Sequence, residues 1–308
     1  MRPFRFGVSA RATSRAEWQD TARRVEALGY ATLVVADHLT DLVAPMPALA
    51  SAADATKSLR IGTFVLNNDL RHPVLVAREA AAIDLLSDGR FELGLGAGSI
   101  RAEYDEAGLR FDRGATRVER LAEAVAIIKP LLRGERVSFP GRHYRVDGHV
   151  IGPPPAQKPH PPLLLGGNGT RLLDLAGREA DIVGFTGISF QAGGARPPDL
   201  SAWAAAEVDA RVRVVREAAG ERFSQLELNV LVQRVIVTGN RVAAAEELAT
   251  RWPQLAAADL LQSPYVLIGT LDEIAEELRE RRERWGFSYY VVRDVDAFAP
   301  VVARLAGT

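Results

Sequence analysis

Short apolar runs alternate with longer amphipathic stretches along almost the whole chain of 308 residues. The short runs are rich in valine, isoleucine, leucine and phenylalanine and end at polar or glycine residues, which is typical of strands buried on both faces. The longer stretches repeat apolar residues every three or four positions, which predicts helices. Eight strands are predicted in this way, over residues 4–9, 32–36, 60–66, 91–95, 163–165, 181–185, 226–237 and 287–292.

The segment 60–98 shows the repeating unit most clearly. Its first strand is followed by Pro73, which is tolerated at the first helical position because its missing N–H would have no partner there. Apolar residues then recur at helical spacing from Val76 to Leu86, and a second strand covers 91–95. Strand, helix and strand in fewer than forty residues predict a βαβ unit.

Helices are expected after nearly every strand. Ser14 with Glu17 three residues later fits a capping box at the start of the first helix, and Gly29 fits its end. Thr270 fits the same capping role at the start of a later helix. The helices that pack on the strands are predicted over residues 14–28, 47–55, 73–86, 116–132, 170–178, 200–219, 270–285 and 295–305.

Three segments depart from this alternation. Residues 135–150 are predicted to form a β-hairpin insertion with Pro140 and Gly141 in its turn. Residues 186–199 are rich in glycine and proline, which predicts a long loop that acts as a mobile lid. Residues 240–262 are predicted as a helical insertion.

Strict alternation of strands and helices implies a parallel sheet. Eight such units favour a single (β/α)8 TIM barrel with insertions over residues 1–308, and a doubly wound open sheet is the alternative. The length suits one α/β barrel. If the barrel forms, the chemistry is expected at the carboxyl ends of its strands.

Polar residues and glycines lie at those strand ends. His38 is either a buried structural histidine or an acid/base group, and its position favours function. Gly166 and Gly167 precede a helix, so they fit either a phosphate-binding turn or a tight connection. The small residues at 94–98 fit either close approach of a ligand to the backbone or tight packing around a turn. The run is not the dinucleotide fingerprint, because Ser99 occupies the position of the third glycine. The residues at these ends are Asp37-His38, Asn67-Asn68, Gly96-Ala97-Gly98 with Glu103 beyond, Gly166-Gly167, Gly184 and Arg293-Asp294.

Composition narrows the classes of function. Apolar residues make up 47% and charged residues 25%, and the net charge is −1, which implies no general attraction to nucleic acid or membranes. There is no cysteine, which excludes disulfides, thiolate catalysis and cysteine-bound metal. The histidines lack metal-binding spacing, so no metal site is predicted. No secretory leader or membrane-spanning run is visible, so a cytoplasmic location is expected.

Several strings together resemble the bacterial luciferase-like monooxygenase superfamily, and within it the coenzyme F420-dependent oxidoreductases. They are "GYATLVVADH", "LRIGTFVLNNDLRHPVLVAREAAAIDLLSDGRFELGLGAG", "PLLLGGNG", "READIVGF" and "IGTLDEIAEELRE". The resemblance implies a TIM barrel with insertions, usually a homodimer. It also implies a flavin or deazaflavin at the carboxyl-terminal mouth of the barrel.

The resemblance also implies roles for individual residues. His38 matches the active-site histidine, and Glu103 matches an acidic residue near the reacting carbon, so these two are the expected catalytic pair. A bulge at Phe64, Val65 and Leu66, with a cis peptide bond between the first two as one form of it, is expected to support the cofactor ring. The cofactor-binding residues that the resemblance implies are Asp37, Phe64, Val65, Asn67, Ala97, Gly98, Gly166, Gly167 and Asn168.

These matches lead to one functional hypothesis and two alternatives. The hypothesis is a coenzyme F420-dependent oxidoreductase that transfers a hydride between the deazaflavin and a small organic substrate. The alternatives are an FMN-dependent luciferase-like monooxygenase and a non-catalytic flavin-binding relative. The sugar-phosphate dehydrogenases of the family that this chain resembles have a tryptophan shortly after the histidine. No tryptophan follows His38 closely here, which disfavours glucose-6-phosphate as substrate. A homodimer through the alanine-rich helices around 48–55 and 74–83 is expected from the resemblance.

Overall fold

Eight parallel strands form the centre of the molecule in the computed structural model, which describes residues 1–11, 14–40, 42–188 and 199–308. The third strand is interrupted and has two short segments. The strands are β1 Arg5–Ser9, β2 Thr32–Val35, β3 Arg60–Thr63 with Leu66–Asn67, β4 Phe91–Gly96, β5 Leu163–Gly167, β6 Ile182–Phe185, β7 Glu227–Leu231 and β8 Phe287–Val292.

The eight strands close into a barrel. Each strand from β2 to β8 pairs in parallel with the one before it. Strand β1 also pairs in parallel with β8, for example Gly7 with Val291, and this pairing closes the ring. The predicted TIM barrel is therefore confirmed, and the open sheet is wrong.

Helices follow the strands on the outside. The Ser14 side chain accepts a hydrogen bond from the Glu17 N–H, which is one half of the predicted capping box. Thr270 caps its helix as predicted, and with Glu273 it forms a complete capping box. The α-helices are α1 Arg15–Ala27, α2 Pro45–Ala55, α3 Pro73–Leu86, α4 Arg101–Glu106, α5 Gly114–Leu132, α6 Thr170–Glu179, α7 Ala205–Ala219, α8 Arg241–Arg251, α9 Ala257–Gln262, α10 Leu271–Trp285 and α11 Val295–Leu305. Short 3-10 helices cover Asn68–Leu70, Ser201–Trp203 and Gly220–Gln225.

Buried apolar side chains form two clusters. The larger cluster combines strand and helix residues, so it fills the layer between the barrel and the helices. The smaller one joins Val34, Leu164, Ile182 and Val291, which come from strands on different sides of the ring. Side chains from such distant strands can meet only inside the barrel, so its interior is packed rather than hollow.

An ion-paired network closes the amino-terminal end of the barrel. Arg5 donates to Glu92 and, at 2.5 Å, to Glu227, and its guanidinium lies 3.8 Å from the centre of the Tyr289 ring. Burial alone would lower the pKa of Arg5, but the carboxylates of Glu92 and Glu227 raise it overall. These charges join strands β1, β4 and β7 at the amino-terminal end of the barrel.

Two β-insertions depart from the barrel pattern. The hairpin consists of Val137–Pro140 and Arg145–His149, and Glu123 of α5 accepts hydrogen bonds from three N–H groups of its turn. The single strand predicted over 226–237 is wrong, because the barrel strand ends at Leu231 and a separate strand, Arg234–Val237, follows. This strand pairs in parallel with Val266–Gly269, which was not predicted.

The remaining long segments agree with the predictions in part. The helical insertion contains α8 and α9, with a break between residues 251 and 257. The predicted lid loop falls mainly on residues 189–198, which lie outside the described residues. Among the helices in the described ranges, none is both long and apolar enough to cross a membrane.

Candidate functional site

A cavity of about 800 Å³ opens at the carboxyl ends of the barrel strands. Its volume falls within the range of about 300–1,000 Å³ that is usual for small-molecule sites. The residues proposed from the sequence as catalytic, cofactor-binding or part of the bulge all line this one cavity, whereas Asn68 and Asp294 of the strand ends do not: the lining set is Asp37, His38, Phe64, Val65, Leu66, Asn67, Ala97, Gly98, Glu103, Gly166, Gly167 and Asn168. Contact with a common cavity is what a joint role requires, while the role of each residue stays a prediction.

His38 and Glu103 form a hydrogen-bonded pair in this cavity. His38 follows β2, and Glu103 lies in the first turn of α4, after β4. The distances from His38 Nδ1 to Glu103 Oε1 and Oε2 are 3.0 and 3.3 Å. The Glu103 side chain is 6% exposed and the His38 side chain 39%. An ionised carboxylate can only accept, so Nδ1 carries the proton and Nε2 is left for a ligand.

Asp37 is bound to two neighbours rather than free for chemistry. Both of its carboxylate oxygens accept from the Arg71 guanidinium, and Oδ2 also accepts from the Asn67 backbone N–H at 3.0 Å. The side chain is buried. Asp37 thus links the end of β2 to the second segment of β3. This contact fixes the position of the strand segment that carries Asn67.

The interruption of β3 places the Val65 side chain at the mouth of the barrel. The peptide bond between Phe64 and Val65 is cis, so the predicted cis bulge is confirmed. Gly96 and Gly166 leave space for Val65: a Cβ on either would lie 2.6 or 3.0 Å from its methyl groups. A Cβ on Gly94 would lie 2.0 Å from the Thr63 carbonyl oxygen. The glycine run of β4 therefore accommodates β3 rather than a ligand.

Gly98 lies against the buried hydroxyl group of Tyr104. Its φ of +74° is in the left-handed region, and a Cβ there would lie 2.0 Å from the Tyr104 hydroxyl oxygen. That hydroxyl lies 2.9 Å from Asn67 Oδ1 and 3.1 Å from Asp69 Oδ2, and its single proton is shared between these two acceptors. Burial raises the pKa of Tyr104, so the hydroxyl stays protonated and able to donate. The wall formed by Ala97 and Gly98 is thereby held in place.

The amino-terminal end of α6 faces the same cavity. Gly169 is its N-cap and provides no side-chain cap, and no atom would lie within 4 Å of a Cβ there. The first N–H groups of a helix have no partner within the helix, and they carry partial positive charge. Asn168, just before the cap, accepts at its backbone carbonyl from Arg211 at 3.3 Å. This arrangement suits a bound anion.

Several lining residues were not proposed from the sequence. Arg117 of α5 donates to the Ala97 carbonyl at 3.1 Å, and its guanidinium lies 4.0 Å from the centre of the Phe111 ring. Arg117 and Phe111 both follow β4 in the chain, as Glu103 does. Their closeness to Glu103 in the sequence was the signal that could have identified them. Within the described ranges, no group of three His, Asp and Glu side chains is arranged to hold a metal ion.

The closed barrel and its cavity define a TIM-barrel protein with a small-molecule site at the carboxyl-terminal face. The family model described as luciferase-like monooxygenase matches residues 2–289. The chain belongs to this luciferase-like monooxygenase family.

Two relatives show the similarity at sequence level. The F420-dependent glucose-6-phosphate dehydrogenase of Nakamurella multipartita is 34% identical over 189 residues, which cover 58% of this chain and 55% of that protein. The F420-dependent hydroxymycolic acid dehydrogenase of Mycobacterium tuberculosis is 33% identical over 168 residues, covering 52% and 46%. The matched region thus spans about half the length of each relative.

Two solved structures show the similarity at the level of the fold. The coenzyme F420-dependent tetrahydromethanopterin reductase from Methanopyrus kandleri has a TM-score of 0.78 at 17% identity, and the match covers 98% of this chain and 99% of that one. An F420-dependent secondary alcohol dehydrogenase in complex with an F420-acetone adduct has a TM-score of 0.75 at 19% identity, with the same coverage. At these identities the comparison establishes the barrel fold alone.

Proposed function

We propose that this protein is a coenzyme F420-dependent oxidoreductase that transfers a hydride between the deazaflavin and a small organic substrate. The observation that carries the proposal is the His38–Glu103 pair, which faces the same cavity as the uncapped start of α6. An acid/base pair and an anion site in one cavity suit a phosphate-bearing cofactor and a proton-coupled reaction. The names of the curated relatives support deazaflavin as that cofactor.

The lining residues fit such a cofactor. Val65, Ala97 and Gly98 all line the cavity without bulky side chains, which suits a flat ring lying against them. The turn from Gly166 to Asn168 leads to the first N–H groups of α6, which would hold the phosphate. When bound, the reduced deazaflavin supplies the hydride.

The protein residues then handle the proton. Glu103 accepts from His38 Nδ1 and holds the ring in one tautomer and one orientation. When the substrate is oxidised, the neutral His38 ring with its proton on Nδ1 accepts the substrate hydroxyl proton at Nε2. When the substrate is reduced, the imidazolium, protonated on both nitrogens, donates the Nε2 proton to the substrate oxygen. The low exposure of Glu103 keeps water from competing for this hydrogen bond.

The FMN-dependent monooxygenase remains the second candidate, because the matching family model is described as luciferase-like monooxygenase. A non-catalytic flavin-binding relative would have no use for the His38–Glu103 pair. Titration of the purified protein with coenzyme F420 and with FMN separates these candidates. Tighter binding of F420 supports the proposal, whereas tighter binding of FMN with oxygen-dependent turnover supports the monooxygenase.

The variant His38→Ala tests the acid/base role, with His149→Ala as control because His149 is exposed on the hairpin. Loss of a general acid lowers the rate by about 10²–10⁴-fold. Single-turnover hydride transfer, cofactor affinity and melting temperature should all be measured. A His38→Ala protein that binds cofactor and transfers hydride at the parent rate contradicts the role.

The assembly and location of the protein belong to the proposal as well. The alanines of α2 and α3 are mostly buried within the chain, so they do not provide the free surface that was expected of them. Leu75 and Leu86 of α3 are 50% and 78% exposed, and they are the better candidates for a homodimer contact. Light scattering of the parent protein and of Leu86→Glu tests this. A cytoplasmic location stays a prediction.

A further inference from the structure

Three arginines follow neighbouring strands of the barrel, and the acid/base pair does not use them. Arg11 follows β1, Arg234 follows β7 and Arg293 follows β8. These three strands are adjacent in the barrel. Arg293 lines the same cavity as His38. We call this group the mouth arginines.

Gln233 holds two of the mouth arginines. Arg293 Nη1 donates to Gln233 Oε1 at 2.7 Å, and Arg234 Nη1 donates to the Gln233 backbone carbonyl at 3.1 Å. Gln233 is 6% exposed, and its backbone N–H donates to the Tyr265 carbonyl at 2.7 Å. A neutral, well-anchored acceptor therefore orients Arg293 without cancelling its charge.

The charges of the mouth arginines are not balanced by carboxylates in the described part of the chain. No described Asp or Glu forms an ion pair with any of the three, and Asp41 is the one acid among the residues outside the described ranges. The Asp294 carboxylate accepts from the Ala297 N–H and so caps α11. Desolvation by the surrounding protein lowers the pKa of Arg293, and the charges of Arg234 and Arg11 lower it further. A guanidinium still remains charged at neutral pH.

We propose that the mouth arginines bind an anionic group of the substrate, a carboxylate or a phosphate, with Arg293 as the principal contact. Unbalanced like charges at a cavity mouth attract such an anion, and a guanidinium pairs with both oxyanions in a forked geometry. Arg293 lies two strands from His38 and three strands from the α6 end of the cavity. An anion at Arg293 therefore leaves the rest of the substrate free to extend toward His38.

This inference rests on the proposed function. If that function holds, the substrate is an anionic compound rather than a neutral alcohol. The anion site itself is independent of which cofactor binds. Inorganic phosphate and acetate are suitable probes, since one stands for a phosphorylated substrate and the other for a carboxylic acid. Both are titrated by calorimetry into the protein alone and into protein saturated with coenzyme F420, at constant ionic strength.

The decisive variant is Arg293→Gln. Losing a charge-assisted hydrogen bond should weaken binding of the preferred probe about 10- to 100-fold. The matched control Arg145→Gln removes the same charge from the exposed hairpin and should leave the affinity unchanged. Gln233→Glu should also weaken binding, because it places a carboxylate against Arg293 while keeping the side-chain shape. Melting temperatures verify that each variant folds.

The outcomes separate cleanly. Binding of phosphate, acetate or both that is lost in Arg293→Gln supports the proposal and shows which anion is preferred. Equal binding by the parent protein and Arg293→Gln overturns it. Binding that disappears once the deazaflavin is bound also overturns it, because the probe then occupied the α6 end. If no cofactor binds while the Arg293-dependent anion binding persists, the proposed function fails and the anion site stands.

Discussion

Replacing Gly98 by alanine would place a methyl group where the structure has a fixed hydroxyl. The new Cβ would lie 2.0 Å from the Tyr104 hydroxyl oxygen and 2.6 Å from Asn67 Oδ1. Tyr104 is 1% exposed and its hydroxyl is hydrogen-bonded to Asn67 and Asp69, so it cannot move aside without losing those bonds. The substitution should therefore disturb the wall of the cavity as well as the stability of the fold.

Two terms set the expected loss of stability. A residue with a Cβ in the left-handed region costs about 1–2 kcal/mol. Forcing an extra methyl group into a packed site costs about 1–3 kcal/mol more. The free energy of unfolding should thus fall by about 2–5 kcal/mol for Gly98→Ala, with the second term arising from Tyr104 and Asn67.

Gly108→Ala is a matched control, because Gly108 has a φ of +69° and no atom lies within 4 Å of the position that its methyl group would take. It should lose only the backbone term of about 1–2 kcal/mol. Urea denaturation and thermal melting of the two variants measure the difference, and a titration with coenzyme F420 reports on the cavity wall. Equal losses in both variants would show that the Tyr104 contact does not constrain Gly98, and the reasoning would be refuted.

Three further predictions concern single contacts. Tyr104→Phe should lower the free energy of unfolding by about 0.5–1.5 kcal/mol, because Asn67 Oδ1 loses one of its two donors and keeps the Asp69 N–H, and urea denaturation checks this. Thr270→Ala should cost about 1 kcal/mol in the same assay through loss of the capping box. Burial alone would raise the pKa of Glu26, but the N–H groups of residues 57–59 lower it to about 2. Its contribution is complete above its ordinary pKa of 4.5 and is lost as the pH falls toward 2, so the melting temperatures of the parent and Glu26→Gln should converge there.

The barrel could be predicted because its signals are local. Strands buried on both faces read as continuous apolar runs, and helices between them read as 3.6-residue periods. The helix starts at Ser14 and Thr270 depend on side chains within three residues of the cap, so they too are visible in the sequence. The location of the candidate site followed from the fold, since all carboxyl ends of parallel strands meet at one face.

Some features that depend on contacts between distant residues could not be predicted from local patterns. Arg71 pairs with Asp37 across 34 positions, and nothing in the local pattern around Asp37 indicates that its charge is compensated. The strand Val266–Gly269 is a four-residue apolar run between two helices, a length at which strand and helix patterns cannot be told apart. It forms a strand because Arg234–Val237 pairs with it, and that pairing spans the helical insertion.

The glycines at the cavity look alike in the sequence, but each is required for a different physical reason. A side chain at Gly96 or Gly166 would collide with Val65, and one at Gly98 would collide with Tyr104. In these places the close approach comes from the protein itself, so the glycine-rich run of β4 shapes the walls. Gly169 differs, because open space surrounds it and the uncapped N–H groups of α6 follow directly. The anionic part of a cofactor should accordingly bind at α6, while the walls near Val65 and Gly98 are left to position its ring.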